Sequence, residues 1–443
     1  MPVDKEVPDE MHFRSLRLEN VRAFGSVQNL EFIDESGIIS RWNLILGDNG
    51  VGKTTLLHVL ALMLPVSDFP PTRSKAKLSE HTNIEIRHFI RRGGKRKATI
   101  VAVFHAHGQP LRIQVGISGS VDKLESARFP PVKHRLRSEG PLVIKYDAGR
   151  HIRRDVSPPT DTDGAETSFS EVTVLYDAET ILEKLDYAVR SEPRQKNSRE
   201  KIRLKVLKAV VAALLPGRLT DKDIEIRGPR RTGKDQSGVL VKTPSGKTPF
   251  ADLSLGYQTM LALAVDLASR LFDAFPESTK PLCKSAIVLI DEIELHLHPQ
   301  WQRELRERLL KNFPKVQFIA TTHSPITAQD ALSQGGNVAV VRWEGNEAHI
   351  LNRPIPADLW RYDQLLVSDL FGLTSDRSKE AEAMFDDRLN LLQTKNRSAK
   401  QEARLRELNE LIARLPTARS PIDQRFEDLT SELVRDFPRR RAR

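Results

Sequence analysis

Apolar residues along this chain fall into short solid runs closed by glycine or by charge, and between them lie stretches with helical spacing. The segment Trp42 to Leu60, WNLILGDNGVGKTTLLHVL, contains both patterns. Leu44 to Leu46 predicts a buried strand, Gly47, Gly50 and Gly52 a turn, and Leu56, Leu57 and Leu60 the inner side of a helix. Upstream, Leu16 and Leu18, then Leu30 and Phe32, flank a break at Asn20 to Gly25 and predict two short strands in the same sheet as Leu44 to Leu46. Downstream, Lys97 to Phe104 and Leu111 to Ile117 predict strands joined by a turn at His107 to Pro110. Leu142 to Tyr146 predicts a buried strand running into Asp147, Ala148, Gly149 and Arg150. Pro65 to Ser79, and His151 to Ser168, are polar and proline-bearing and read as loops, as does the basic stretch Pro130 to Arg137.

Helical spacing then takes over from Glu179 to Leu215, first in Ile181, Leu182 and Leu185, then in Leu204, Leu207, Val210, Val211 and Leu214. Gly217 to Lys247 is basic and glycine-bearing, with a hairpin expected around Gly233. Leu253 to Phe272 predicts a buried helix with Ser254 as N-cap. The run Ala286 to Ile290 predicts a buried strand, Pro299 opens a helix carrying Trp301, Leu305 and Leu309, and Val316 to Thr321 is a further buried strand. Asn337 to Leu351 predicts a hairpin turning at Gly345-Asn346. The tail predicts helices at Lys379 to Leu392, behind a capping box of Ser398 and Gln401, and from Ile422 to Phe437. The expected organisation is 1–150 an N-terminal lobe, 151–249 a helical, basic insertion, 250–351 a second lobe, and 352–443 a helical region that either caps the core or docks a partner.

Composition narrows the setting. A single cysteine among 443 residues, Cys283, excludes a disulfide framework, and its apolar neighbours predict a buried core thiol. No apolar run approaches the roughly 20 residues needed to span a bilayer, and the opening MPVDKEVPDE has no signal-peptide core, so a soluble, cytoplasmic protein without a membrane partner is expected. The formal charge of +10 permits a polyanionic partner without requiring one. Arg194, Lys196, Arg199, Lys201, Arg203 and Lys205, with Arg227, Arg230, Arg231 and Lys234, form either a solvated surface or a phosphate-tracking one.

The chemistry centres on Gly47, four residues, then Gly52-Lys53-Thr54, the P-loop spacing in its strand-loop-helix setting. Backbone N–H groups of Gly47, Asp48, Asn49, Gly50, Val51, Gly52, Lys53, Thr54 and Thr55 are placed to curl around a polyphosphate, at the positive end of the helix dipole. Lys53 brings a mobile charge to the β- and γ-phosphates, and the Thr54 hydroxyl is placed to ligate magnesium. Asp291 and Glu292 close a buried strand, where adjacent carboxylates are costly unless a metal or a proton-transfer task employs them. Asp291 would then hold magnesium, and Glu292 would deprotonate the attacking water. His323 follows a strand at the same expected edge and is a candidate γ-phosphate contact. His296 and His298 form an HxH pair without a spaced third ligand and read as non-metal residues.

Taken together, Gly47 to Thr54, Leu253-Ser254-Leu255-Gly256-Tyr257-Gln258, Ile290-Asp291-Glu292 and Thr322-His323-Ser324 resemble the Walker A, signature, Walker B and switch-histidine elements of the ABC-type ATPase core. The wording LRLENVRAFGSV, DEIELHLHPQW and TTHSP is similar to the SMC and RecF group, and within it to small ATPases of OLD-like and Septu-type antiphage systems. The resemblance spans about Phe13 to Arg150 and Phe250 to Trp343. Leu255 stands where many members have Gly, and Asp147 where related ATPases often have Gly.

The resemblance implies an α/β P-loop fold of ABC-ATPase type with a mixed sheet, a basic helical insertion and a C-terminal helical region. It implies ATP and Mg2+ as ligands and a head-to-tail dimer in which Ser254 and Gly256 of one subunit cap the γ-phosphate held by Lys53 and His323 of the other. The function expected is an ATP-hydrolysing dimer switch that senses nucleic acid and regulates a separate effector nuclease, because the chain shows neither an HNH constellation nor a Toprim acidic cluster. A RecF-type repair ATPase is the alternative. A transporter motor subunit fits less well, since no coupling glutamine is evident, and a module without turnover fits poorly with Lys53, Asp291 and Glu292 all present.

Overall fold

The computed structural model describes residues 11–63, 86–118, 123–128, 142–153, 169–191, 199–227, 238–354 and 377–413, a few single positions inside these ranges excepted, with isolated positions between 364 and 371. The strands in chain order are β1 (Met11–Glu19), β2 (Gln28–Glu31), β3 (Trp42–Gly47), β4 (Lys97–Ala106), β5 (Gln109–Ser118), β6 (Lys123–Arg128), β7 (Leu142–Arg153) and β8 (Phe169–Tyr176). They continue as β9 (Ile224–Arg227), β10 (Gly238–Thr243), β11 (Gly246–Pro249), β12 (Ala286–Ile290), β13 (Val316–Thr322), β14 (Asn337–Glu344) and β15 (Glu347–Asn352). The helices are α1 (Lys53–Leu62), α2 (Ala178–Ser191), α3 (Arg199–Leu214), α4 (Leu255–Ala274), α5 (Pro299–Gln302), α6 (Leu305–Asn312), α7 (Pro325–Ser333), α8 (Lys379–Gln393) and α9 (Ala399–Ala413). Two compact units result, Met1–Leu373 and Thr374–Arg443.

The larger unit is built on a seven-stranded sheet in the order β15, β14, β3, β13, β12, β7, β8. Neighbours from β14 to β8 run parallel, and β15 pairs antiparallel as a hairpin edge, so the sheet is mixed. Every residue of β12 and β13 is buried, as expected of parallel strands covered on both faces. The two-residue period of the strands divides the core in two. Leu44, Leu46, Ile144, Tyr146, Val288, Ile290 and Phe318 face α2, α3, α4, α6 and α7, while Ile45, Val143, Ile287, Leu289 and Ile319 face α1.

Across α1 lies a separate five-stranded antiparallel sheet, ordered β2, β1, β4, β5, β6. Leu16, Leu18 and Ile100 of that sheet share one apolar cluster with Leu56, Leu57, Val59 and Leu60 of α1, which therefore sits between two sheets. The sequence expectation placed β1 and β2 in the P-loop sheet, and this is corrected. Their alternation is that of strands with one face in the core, and the partners of β1 are β2 and β4, not β3. A small third sheet is ordered β11, β10, β9.

Other expectations shift as well. β8 was not anticipated, and it adds a parallel edge to the main sheet from within the segment expected to be helical and basic. β7 runs past Arg150 to Arg153, with an irregular register between Tyr146 and His151. The helix opened by Pro299 breaks at Arg303 and Glu304 into α5 and α6. Cys283 is exposed, because it ends a short turn ahead of β12 rather than entering the strand. The expected loops at 65–79 and 130–137, most of 151–168, the turn at Gly233 and the helix at 422–437 lie outside the described residues.

In the smaller unit α8 and α9 pack through Met384, Leu391, Leu405 and Leu408. Ser378 caps α8, accepting from the Ala381 N–H at 3.2 Å. The capping box ahead of α9 is present: the Ser398 N–H donates to Gln401 Oε1 at 2.8 Å, and the Gln401 N–H to Ser398 Oγ at 3.4 Å.

Candidate functional site

Strand register brings the chemistry to one edge of the main sheet. Ile290 pairs with Ala320 and with Tyr146, Thr322 with Leu46, and Val341 with Gly47, so the carboxyl ends of β12, β13, β7 and β3 lie side by side. This is the edge at which open α/β sheets bind ligands.

The loop after β3 depends on two glycines for different reasons. Gly47 has φ 146°, and a Cβ there would lie 2.2 Å from the Val341 carbonyl oxygen. Gly52, at φ 106°, is the N-cap residue of α1 with the Phe24 ring against it. Val51 is fully buried and anchors the loop, while Asp48, Asn49 and Gly50 are exposed. The first turn of α1 has no acidic residue and no side-chain cap, leaving its end suited to an anion. Lys53 is 6% exposed, and its ammonium donates to the Gly47 and Asp48 carbonyls, both at 2.8 Å. Burial pulls its pKa below the usual lysine range, opposed by the nearby charges of Asp291, Glu292, Asp48 and Glu294. Thr55 is buried, and its hydroxyl accepts from Arg22 Nη1 at 3.4 Å.

Opposite the loop, Asp291 is a buried carboxylate with two hydroxyl donors. Thr54 Oγ1 donates to its Oδ2 at 2.7 Å, and Thr321 Oγ1 to its Oδ1. The Asp291 N–H donates to the Tyr146 carbonyl at 2.8 Å, and the Glu292 N–H to Thr321 Oγ1 at 2.8 Å. Glu292 itself has φ 49°, the left-handed region that costs a non-glycine residue about 1–2 kcal/mol. Arg150 clamps the same turn, its Nη1 donating to the Asp291 carbonyl at 2.6 Å and the Asp147 carbonyl at 3.0 Å, its Nη2 to the Glu292 carbonyl at 2.9 Å. Burial lowers the Arg150 pKa, against the charges of Asp291, Glu294 and Glu292.

His323 begins the chain after β13. Its N–H donates to Glu294 Oε1 at 2.6 Å, while Glu294 Oε2 is buried without a hydrogen-bond partner.

Thus Lys53, Thr54, Asp291 and Glu292 come together as expected, and His323 stands at the end of the neighbouring strand β13, with its backbone N–H on Glu294. Ser254 and Gly256 do not: among the described residues no hydrogen bond links either to Gly47–Thr55. Ser254 is the N-cap residue of α4, as expected, though its side chain makes no capping hydrogen bond and is exposed. The turn is pinned instead by Gln258, whose Nε2 donates to the Ala251 and Leu253 carbonyls at 2.9 and 2.7 Å. Gly256 packs so closely on His296 that a Cβ would lie 2.4 Å from its carbonyl oxygen. His298 caps α5, with Nδ1 accepting from the Gln300 N–H at 3.3 Å.

Three residues of the site were not singled out from sequence: Arg150, Thr321 and Glu294. Thr321 carried a signal, a polar residue inside an otherwise solid strand. Arg150 carried only its place beyond a buried strand. Parts of the basic middle are also engaged within the chain. Arg199 donates to the Phe272 carbonyl at 2.6 Å, Arg203 pairs with Asp273 at 2.7 Å, and Arg227 pairs with Glu225 at 2.9 Å.

Residues 43–328, which run from β3 past His323, match the family model described as "AAA domain, putative AbiEii toxin, Type IV TA system". The chain belongs to this AAA-domain family. It is 26% identical over 401 residues to the Septu protein PtuA of Bacillus mycoides (strain KBAB4), over 88% of this chain and 49% of that protein. A stretch of 73 residues is 56% identical to the "Retron Ec83 probable ATPase" of Escherichia coli, 16% of this chain and 14% of that protein. The chain thus spans about half the length of the first of these curated relatives and less of the second. Among solved structures, the SMC head domain from Thermotoga maritima is similar at a TM-score of 0.44 and 15% identity, over 77% of this chain and 98% of that chain. The resemblance of this AAA-domain protein to ATPases of antiphage systems, read from its motifs, is borne out by the Septu relative.

Proposed function

We propose that this chain binds ATP with Mg2+ and hydrolyses it, acting as a nucleotide-dependent dimer switch in antiphage defence. The observation that carries the reading is the 2.7 Å contact of Thr54 Oγ1 with Asp291 Oδ2, which joins two elements 237 residues apart. Hydroxyl and carboxylate oxygens are the donor set magnesium takes, and both fit the ion. Thr54 and Asp291 would hold the ion, which would supply positive charge against the charge developing on the phosphates. The Lys53 ammonium already rests on loop carbonyls beside this pair and needs only to turn toward the γ-phosphate. Glu292 takes a proton from water as the water oxygen attacks the γ-phosphorus, releasing ADP and phosphate. His323 contacts the γ-phosphate.

The N-terminus of the 20-residue α4, with Ser254 and Leu255 exposed and no side-chain hydrogen bond at the cap, supports a composite site completed by a second copy. In this reading Ser254 and Gly256 of one subunit cap the γ-phosphate held by the other. A separate effector nuclease is the proposed partner of the closed dimer, and nucleic acid the proposed signal. The charge of +10 favours the latter, while Arg199, Arg203 and Arg227, already partnered, favour it least. Mixed dimers test the composite site. Ser254→Arg and Lys53→Ala subunits are each inactive alone, and the mixture recovers part of the ATPase rate because one site is intact. Two folded variants that recover nothing when mixed contradict the arrangement.

A further inference from the structure

We infer that Arg150 is the positioning residue for the general base: it fixes the left-handed turn at Glu292 by gathering the carbonyls on both sides of that turn. The inference rests on the ATPase reading of the site.

A glutamate at φ 49° has no conformational reason to stay there, unlike the glycines of the P-loop. In this turn the successive carbonyls of Asp291 and Glu292 both point to one guanidinium, at 2.6 and 2.9 Å. A third bond, to the Asp147 carbonyl at 3.0 Å, fixes the guanidinium to its own strand end. A planar fork presents its N–H groups in fixed directions, so two adjacent acceptors lock its orientation, whereas an ammonium carries rotatable donors on a flexible stem.

What Arg150 does not do is equally informative. It is 5% exposed, and its Nε lacks a hydrogen-bond partner. The pocket it lines beside α4 is apolar, formed with Met260, Leu263, Ile290 and Ile293. All three of its side-chain hydrogen bonds go to main-chain carbonyls, two of them on the acidic turn. Thr321 holds the turn from the β13 side through the Glu292 N–H. The Ile293 N–H adds a second tie to β13, on the Thr321 carbonyl at 3.1 Å, and the Asp291 N–H holds the Tyr146 carbonyl of β7 at 2.8 Å. Removal of Arg150 leaves these bonds but takes the guanidinium from the Asp291 and Glu292 carbonyls, so Glu292 is expected to relax toward negative φ and its carboxylate to shift.

The test uses the full chain and ATP. Wild type and Glu292→Gln are measured first, so that failure of wild type to hydrolyse ATP exposes the functional reading and not this inference. Arg150→Gln is expected to bind ATP within about twofold of wild type, with kcat lowered about 100-fold, the scale of a misplaced catalytic group. Arg150→Lys, which keeps the charge but loses the fixed planar fork, falls between. If Arg150→Gln does not fold, Arg150→Lys carries the same comparison of ATP affinity against kcat. In the Glu292→Gln background the change Arg150→Gln is expected to lower the residual rate no further, because both act through one carboxylate. Three results overturn the inference: a kcat of Arg150→Gln near wild type, loss of ATP affinity in parallel with kcat, or rate losses that multiply in the double variant.

Discussion

The P-loop and the acidic turn both follow a buried parallel strand at the same sheet edge, and both need left-handed backbone, yet they hold it by opposite means. The loop after β3 takes its positive φ values at Gly47, Gly50 and Gly52. The turn after β12 takes them at Glu292 and His296, with no glycine, and is held by side chains from other strands: Arg150 of β7 and Thr321 of β13. One is shaped by local conformational freedom, the other by tertiary hydrogen bonds. The first should fail when a side chain is added, and the second when a distant donor or acceptor is removed.

Glycine substitutions probe the first half with the largest effect. Gly47→Ala meets both a forbidden φ and the Val341 carbonyl, a loss of about 3 kcal/mol or more, and should abolish ATP binding. Gly50→Ala, at φ 80° with nothing within 4 Å, should cost about 1 kcal/mol and leave a folded, weakened site. Thermal unfolding and ATP titration of the two distinguish them. Equal losses would mean that steric fit at the Val341 carbonyl does not shape the loop.

On the other side of the comparison, Thr321→Val keeps the shape of the side chain and removes its hydroxyl. The Glu292 N–H and Asp291 Oδ1 each lose a partner, at about 1–3 kcal/mol of stability, and kcat should drop about tenfold with ATP affinity little changed. Thr321→Ser should restore both. A fall in ATP affinity without a change in kcat would show that the acidic turn is not held for catalysis.

The same contrast explains what was legible in the sequence. Gly47 to Thr54 could be read because its shape is set by its own residues, and Asp291-Glu292 could be read as a strand end in carboxylates. The turn at Gly345-Asn346 and the capping box of Ser398 and Gln401 were local in the same sense. Arg150, Thr321 and Glu294 became visible only with the register of β7, β12 and β13, since nothing within a few residues of any of them indicates its partner. The division into two sheets was hidden for a related reason: the pairing of β1 with β4 joins residues as far apart as Met11 and Ala106, and alternation along β1 does not say which strand lies beside it. Ser254 was legible as the start of a helix, but not its exposed, uncapped hydroxyl.

The central claim is that Lys53, Thr54 and Asp291 bind the nucleotide while Glu292 acts on water. The most direct measurement is ATP affinity and steady-state turnover of Glu292→Gln beside Lys53→Ala, each in Mg2+. Glu292→Gln should bind ATP as wild type does with turnover abolished, and Lys53→Ala should lose binding itself. Parallel loss of affinity and turnover in Glu292→Gln, or turnover undiminished, would contradict the account.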